Sequence, residues 1–128
     1  MAADYKNIHV LLVEDDTFLI DIYRKKFEME GFKVSISDNG EKCLVDIKKK
    51  RPDIVMLDIL LPKLDGFGVL ERIKADPATK DIPVILLTNL GQKDEVEKGM
   101  KLGAEDYMIK AHFKPSEIVD KVKKVLKL

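Results

Sequence analysis

Side chains that could carry out chemistry follow the apolar segments of this 128-residue sequence. In chain order they are Glu14, Asp15, Asp16, Asp58, Thr88 and Lys110. If the apolar segments are parallel strands, their carboxyl ends meet at one edge of a sheet, where such folds bind ligands. The sequence therefore predicts one site with several carboxylates, a hydroxyl and a lysine.

This set of side chains indicates phosphoryl transfer assisted by Mg²⁺. Two carboxylates about 4 Å apart repel by about 4 kcal/mol at an effective dielectric near 20, so the cluster requires a compensating cation. The ligands are hard oxygens with no His or Cys nearby in the sequence, which favours Mg²⁺ over Zn²⁺. Mg²⁺ and Lys110 would balance the charges of Glu14, Asp15 and Asp58, which leaves a neutral site able to accept a phosphoryl group.

Each residue also has a simpler interpretation when taken alone. Asp16 or Thr17 could cap a helix, and Lys110 could be solvated. The joint pattern favours a site, because independent helix caps have no reason to place three carboxylates and a lysine around one crevice.

Five short apolar runs predict the strands that position these residues. Three are almost uninterrupted, as in strands buried on both faces, and two alternate or are shorter, as in strands nearer a sheet edge. The uninterrupted runs span 8–13, 53–57 and 83–87, and the weaker runs span 33–37 and 106–109.

Segments with helical spacing lie after each strand. Their apolar residues fall within 19–27, 44–47, 67–73, 96–100 and 118–126. Gly31 and Gly103 are suited to end the first and fourth helices, and Pro115 to begin the fifth. This (βα)5 alternation predicts an α/β fold, a doubly wound parallel five-stranded sheet with helices on both faces.

The composition limits the classes of function. The 23 basic and 23 acidic residues give zero formal charge, which disfavours a protein that binds nucleic acid or a membrane surface through bulk positive charge. The amino terminus has no apolar signal-peptide core, and no apolar run is long enough to span a bilayer. With a single cysteine, Cys43, we expect a cytoplasmic protein of one domain over 1–128, with no membrane association.

Several motifs in fixed order resemble the receiver domain of the bacterial two-component response-regulator family. They are Leu-Leu-Val-Glu-Asp-Asp at 11–16, Asp-Ile-Leu-Leu-Pro-Lys-Leu-Asp-Gly at 58–66, Pro-Val-Ile-Leu-Leu-Thr at 83–88, Gly-Ala-Glu-Asp-Tyr at 103–107, and Lys110. The resemblance covers essentially the whole length. It implies strand order 2-1-3-4-5 and a single receiver domain without an output domain.

The resemblance also implies a role for each acidic residue. Asp58 resembles the phosphoacceptor, whose carboxylate attacks phosphorus in line to give an acyl phosphate. Asp15 resembles the direct Mg²⁺ ligand, Glu14 acts mainly through water, and Asp58 with the backbone carbonyl of Leu60 completes the protein ligands. Asp16 lies one place beyond the family pair and is interpreted as a helix cap.

The remaining site residues resemble a phosphorylation switch. Lys110 resembles the lysine that pairs with the phosphoryl oxygens, Thr88 the hydroxyl that moves to bind them, and Tyr107 the switch aromatic, although a tyrosine on an edge strand also packs without any such role. The implied donor is a sensor histidine kinase or a histidine phosphotransfer protein. A downstream protein of unknown identity would bind the face formed by the fourth helix, fifth strand and fifth helix, and dimerisation on phosphorylation is left open.

Three features depart from the family pattern. Ala111 follows Lys110 where the family has a proline in a cis peptide, so we expect a trans bond or a reshaped loop. Asn89 is larger than the usual residue after Thr88 and could narrow access to the acceptor. Leu60 and Leu90 flank the phosphoryl position and cannot orient an attacking water, which predicts slow hydrolysis.

Three other functions would require different sequence features. A haloacid-dehalogenase-like phosphatase would need Asp-x-Asp-x-Thr after the first strand, and a flavodoxin-like carrier would need a phosphate-binding loop there that an acidic sequence repels. A degenerate receiver that binds partners without phosphate is the main alternative. We expect a switch that catalyses only its own phosphorylation and slow dephosphorylation, not an enzyme with an external substrate.

Overall fold

A five-stranded parallel sheet forms the centre of the chain in the computed structural model, which describes residues 5–128. The strands are β1 (His9–Val13), β2 (Lys33–Ser37), β3 (Ile54–Leu57), β4 (Val84–Thr88) and β5 (Asp106–Ile109). The helices are α1 (Thr17–Met29), α2 (Gly40–Lys50), α3 (Gly66–Ala75), α4 (Lys93–Lys101) and α5 (Pro115–Val125), with a short 3₁₀ helix at Lys110–His112. The order β2-β1-β3-β4-β5 confirms the predicted fold class.

The two faces of the sheet carry separate cores, which explains the uninterrupted apolar runs. In β1, Leu11 and Val13 pack with α2 and α3 on one face, while Val10 and Leu12 pack with α1 and α5 on the other. Every residue of β1, β3 and β4 is buried, whereas β2 and β5 are partly exposed at the edges. The contrast between the two kinds of run therefore predicted the central and edge strands correctly.

Helix ends match the sequence signals. Asp16 is the N-cap of α1, and its side chain accepts the backbone N–H groups of Phe18 and Leu19. Gly31 and Gly103 take positive φ of 98° and 106° just after α1 and α4, a conformation that side chains with a Cβ rarely adopt. Pro115 is the first residue of α5.

Four strand boundaries differ from the prediction by one residue. Ile8 and Asp53 precede β1 and β3, and the Asp53 carboxylate accepts the backbone N–H of His9 at 2.7 Å. Pro83, which has no N–H to donate, precedes β4, and that strand extends through Thr88. Thr88 thus stands at the carboxyl end of the sheet.

Candidate functional site

A buried cluster of three charges lies at the carboxyl edge of the sheet. Glu14 follows β1, Asp58 follows β3 and Lys110 follows β5. The Lys110 ammonium donates to Glu14 Oε1 and, at 2.7 Å, to Asp58 Oδ2. These side chains are only 3% (Glu14), 7% (Asp58) and 9% (Lys110) exposed, so water screens their interactions little. The structure therefore brings together three of the residues that the sequence predicted as a site.

The loops after the strands fix the orientation of both carboxylates. Asp58 Oδ1 accepts the backbone N–H of Ile59 at 2.7 Å and of Leu60 at 3.3 Å. Glu14 Oε2 accepts the backbone N–H of Asp15 at 3.0 Å and of Asp16 at 3.2 Å. Each carboxylate thus turns one oxygen toward its own loop and the other toward Lys110.

The pKa values of Glu14 and Lys110 are both raised, each by a different cause. Burial raises the pKa of Glu14, the hydrogen bond from Lys110 opposes that rise, and the neighbouring Asp58 charge adds to it. Burial alone would lower the pKa of Lys110, but its hydrogen bonds to Asp58 and Glu14 outweigh burial and raise the pKa above its ordinary value. Lys110 is therefore a permanent cation at neutral pH.

The acidic residues fit a hard divalent cation. Glu14, Asp15 and Asp58 each offer a carboxylate oxygen within 4.8 Å of the others, and Asp15 is exposed to solvent. With Lys110 included, the cluster carries a formal charge of −2, which a single Mg²⁺ would neutralise. Oxygen ligands with a solvent-exposed side are typical of Mg²⁺, which retains several waters. The role of the Leu60 backbone carbonyl as a Mg²⁺ ligand remains a prediction.

Thr88 and Tyr107, the predicted switch residues, both form hydrogen bonds with Leu90. Thr88 is fully buried, and its hydroxyl oxygen accepts the backbone N–H of Leu90 at 3.3 Å. The Tyr107 hydroxyl donates to the carbonyl of the same Leu90. Burial raises the pKa of Tyr107 to about 12, with smaller contributions from the Glu95 and Asp58 charges. Within residues 5–128, no hydrogen bond joins Thr88 or Tyr107 to Asp58 or Lys110.

The loop after Lys110 departs from the family pattern as predicted. No peptide bond is cis in the described part of the chain, so Lys110 and Ala111 are joined in trans. Lys110 instead begins the short 3₁₀ helix, and the backbone N–H of Ala111 donates to Asn89 Oδ1 at 3.2 Å. Sequence reasoning flagged both positions but missed this contact between them.

A second omission is the role of Gly66, which supports the loop behind Asp58. A Cβ at Gly66 would collide with the backbone carbonyl of Asp58 and with the Cα of Ile59. The Gly66 N–H also donates to the Ile59 carbonyl at 2.8 Å. Asp65 and Gly66 end the sequence motif at 58–66, and this close approach is the physical reason for a glycine there.

Comparison with known proteins places this sequence in one family. The family model described as "Response regulator receiver domain" matches residues 10–123. The chain is 37% identical over 92% of its length to the DNA-binding dual master transcriptional regulator RpaA of Synechocystis, covering 48% of that protein. It is 34% identical, again over 92% of its length, to the phosphate regulon transcriptional regulatory protein PhoB of Pseudomonas aeruginosa, covering 51% of it.

A solved receiver-domain structure is also similar to this chain. The receiver domain of the Francisella response regulator 1452 superposes with a TM-score of 0.87 at 28% identity, covering 94% of this chain and 98% of that one. The chain spans about half the length of the curated relatives it matches. Among the described residues, none of the helices is both long and apolar enough to cross a membrane.

Proposed function

The chain belongs to the response regulator receiver domain family, and from that premise we propose that it is a phosphorylation switch whose phosphoacceptor is Asp58. The observation that carries the proposal is the contact of Lys110 with both Asp58 and Glu14 in a buried cluster. A lysine ammonium beside the acceptor carboxylate is placed to pair with an incoming phosphoryl group.

The proposed reaction transfers a phosphoryl group from a phosphohistidine of a sensor kinase or a phosphotransfer protein. A carboxylate oxygen of Asp58 attacks phosphorus, the phosphorus–nitrogen bond of the donor breaks, and the nitrogen leaves with the bonding electron pair. Lys110, 2.7 Å from Asp58 Oδ2, can pass to a phosphoryl oxygen with little movement. It offsets the negative charge that the group brings.

Glu14, Asp15 and Asp58 would hold the Mg²⁺. When bound, this ion supplies positive charge that stabilises the phosphoryl group during transfer. Without it, the chain's own residues leave an excess of negative charge that repels an anionic donor, since Lys110 alone balances only one of three carboxylates. We therefore expect phosphorylation to require a divalent cation.

The proposed output passes through the loop that follows β4. Movement of the Thr88 hydroxyl toward the phosphoryl group would break its bond to the Leu90 N–H, and the Leu90 carbonyl is the acceptor of Tyr107. A change at Asp58 would thus alter the face formed by α4, β5 and α5, where we place a downstream protein partner or a second phosphorylated copy. The reaction is self-modification in the cytoplasm, without turnover of an external substrate.

The proposal is tested by adding a small acyl-phosphate donor and Mg²⁺ and following the intact mass. We expect one phosphoryl addition that disappears when the Mg²⁺ is chelated. Asp58→Asn should abolish the addition. Asp53→Asn, the same substitution at the opposite edge of the sheet, is the matched control and should not affect it. No addition from the small donor or from a histidine-phosphorylated protein would contradict the proposal and favour a phosphate-independent interaction module.

A further inference from the structure

Two of the positions at which the loops around the site depart from the family pattern are in direct contact. Asn89 directly follows Thr88, and Ala111 directly follows Lys110. The Ala111 backbone N–H donates to Asn89 Oδ1 at 3.2 Å. We propose that Asn89 is a positioning residue that holds Lys110 in place through this bond, an inference that rests on the proposed function.

The position of the bond relative to the sheet gives the first argument. The ladder between β4 and β5 ends where Thr88 lies opposite Ile109. The Asn89 side chain extends the pairing one step beyond that end. The backbone of Lys110 is therefore held on one side by the ladder and on the other by Asn89.

The loop that carries Lys110 is anchored at its far end, where the Lys114 N–H donates to Glu117 Oε1 at 2.8 Å, but few bonds hold the part nearer Lys110. Residues 111–114 are exposed. In the 3₁₀ helix the Phe113 N–H donates to the Lys110 carbonyl, and this bond is long at 3.4 Å. Because the Lys110 side chain must reach two carboxylates on other loops, a displacement of its backbone would draw the ammonium away from Asp58.

The identity of residue 111 gives a third argument. A proline there has no N–H and fixes its own φ, so the backbone needs no side-chain partner to restrict it. Ala111 lacks that restriction but has a backbone N–H that can donate a hydrogen bond. Asn89 supplies the acceptor, and the two departures form one structural unit.

The side chain of Asn89 could instead act by its size, by narrowing access to Asp58. The two roles predict opposite effects of removing it, because a lost restraint slows phosphorylation and a widened route accelerates it. Asn89→Leu removes the acceptor but keeps a branched side chain that is no smaller, whereas Asn89→Ala removes the acceptor and widens the route. Slower phosphorylation in both variants would follow from the lost bond and not from access to Asp58. Asn7→Leu makes the same change in an exposed turn before β1, at the opposite edge of the sheet, and is the matched control.

The experiment measures two quantities in the full chain, the exchange rate of the Ala111 amide hydrogen and the rate of phosphorylation by a small acyl phosphate with Mg²⁺. In Asn89→Leu we expect amide exchange about fivefold faster, the factor that corresponds to one hydrogen bond of ordinary net strength, and phosphorylation slowed to a similar degree. Asn89→Asp keeps the acceptor and should retain amide protection, and Asn7→Leu should change neither rate.

Each other outcome overturns the inference in a distinguishable way. Unchanged amide exchange in Asn89→Leu would show that the bond does not restrain the loop. Faster exchange with unchanged or accelerated phosphorylation would show that the bond does not position Lys110. Absence of phosphorylation in the unmodified chain would contradict the proposed function itself, whatever the amide shows.

Discussion

Replacement of Lys110 by methionine should destabilise the domain through the two carboxylates it now neutralises. Methionine keeps most of the side-chain volume but removes the charge. Glu14 and Asp58 would then face each other within 4.8 Å, where two like charges repel by about 3.5 kcal/mol at an effective dielectric of 20. Since both side chains are at most 7% exposed, we expect a loss of about 3 kcal/mol in the free energy of unfolding at pH 8.

The loss should depend on pH because of Glu14. Its pKa in the folded chain is raised above the ordinary value of 4.5, so its contribution to stability is largest below that value and is lost as the pH rises through the folded pKa. The hydrogen bond from Lys110 opposes this rise. In Lys110→Met the pKa of Glu14 therefore rises further, and the destabilisation should be smaller at pH 5 than at pH 8.

Urea unfolding followed by circular dichroism measures these differences. Lys121→Met is the matched control, because Lys121 pairs with Asp106 at 2.7 Å but with 29% of its side chain exposed, and such pairs contribute at most about 1 kcal/mol. Millimolar Mg²⁺ should restore more stability to Lys110→Met than to the unmodified chain. A loss no greater than that of the control, or one equal at both pH values, would refute the electrostatic account of the site.

Three further predictions concern hydrolysis and the switch. Leu60→Gln or Leu90→Gln should shorten the half-life of the acyl phosphate several-fold, since an amide can orient water where leucine cannot; unchanged half-lives in a phosphate-release assay would count against this. Gly99→Ala should lower the free energy of unfolding by about 1–3 kcal/mol, because the added Cβ would lie 2.5 Å from Leu86 Cδ1 and 3.1 Å from the Tyr107 ring. Unchanged stability in urea would show that these side chains have room to move. Tyr107→Phe should remove the phenol that ionises near pH 12 in an ultraviolet titration, and persistence of that step would mean that another tyrosine causes it.

The sheet and most of its helices could be predicted from local signals in the sequence. Uninterrupted apolar runs marked β1, β3 and β4, because strands covered on both faces have no solvent-facing positions. Asp16 and Gly31 marked the ends of α1 through capping chemistry that operates within a few residues. The acidic residues of the site could be placed because the carboxyl ends of parallel strands share one edge.

Contacts between loops could not be predicted in this way. The bonds of Lys110 to Glu14 and of Ala111 to Asn89 join residues 96 and 22 positions apart, and their formation depends on loop geometry that no periodicity reports. The hydrogen bond of the Tyr107 hydroxyl to the Leu90 carbonyl depends on a side-chain rotamer, and Gly99 leaves space beside the ring in that rotamer. Such choices are settled by tertiary packing.

Chemical identification of the modified residue tests the central claim most directly. The chain is phosphorylated with an acyl-phosphate donor and Mg²⁺, the acyl phosphate is reduced with borohydride to convert the acceptor aspartate to homoserine, and the peptides are sequenced by mass spectrometry. The proposed switch predicts homoserine at position 58 and none in Asp58→Asn. Homoserine at another aspartate, or none at all in a chain that has taken up phosphate, would contradict it.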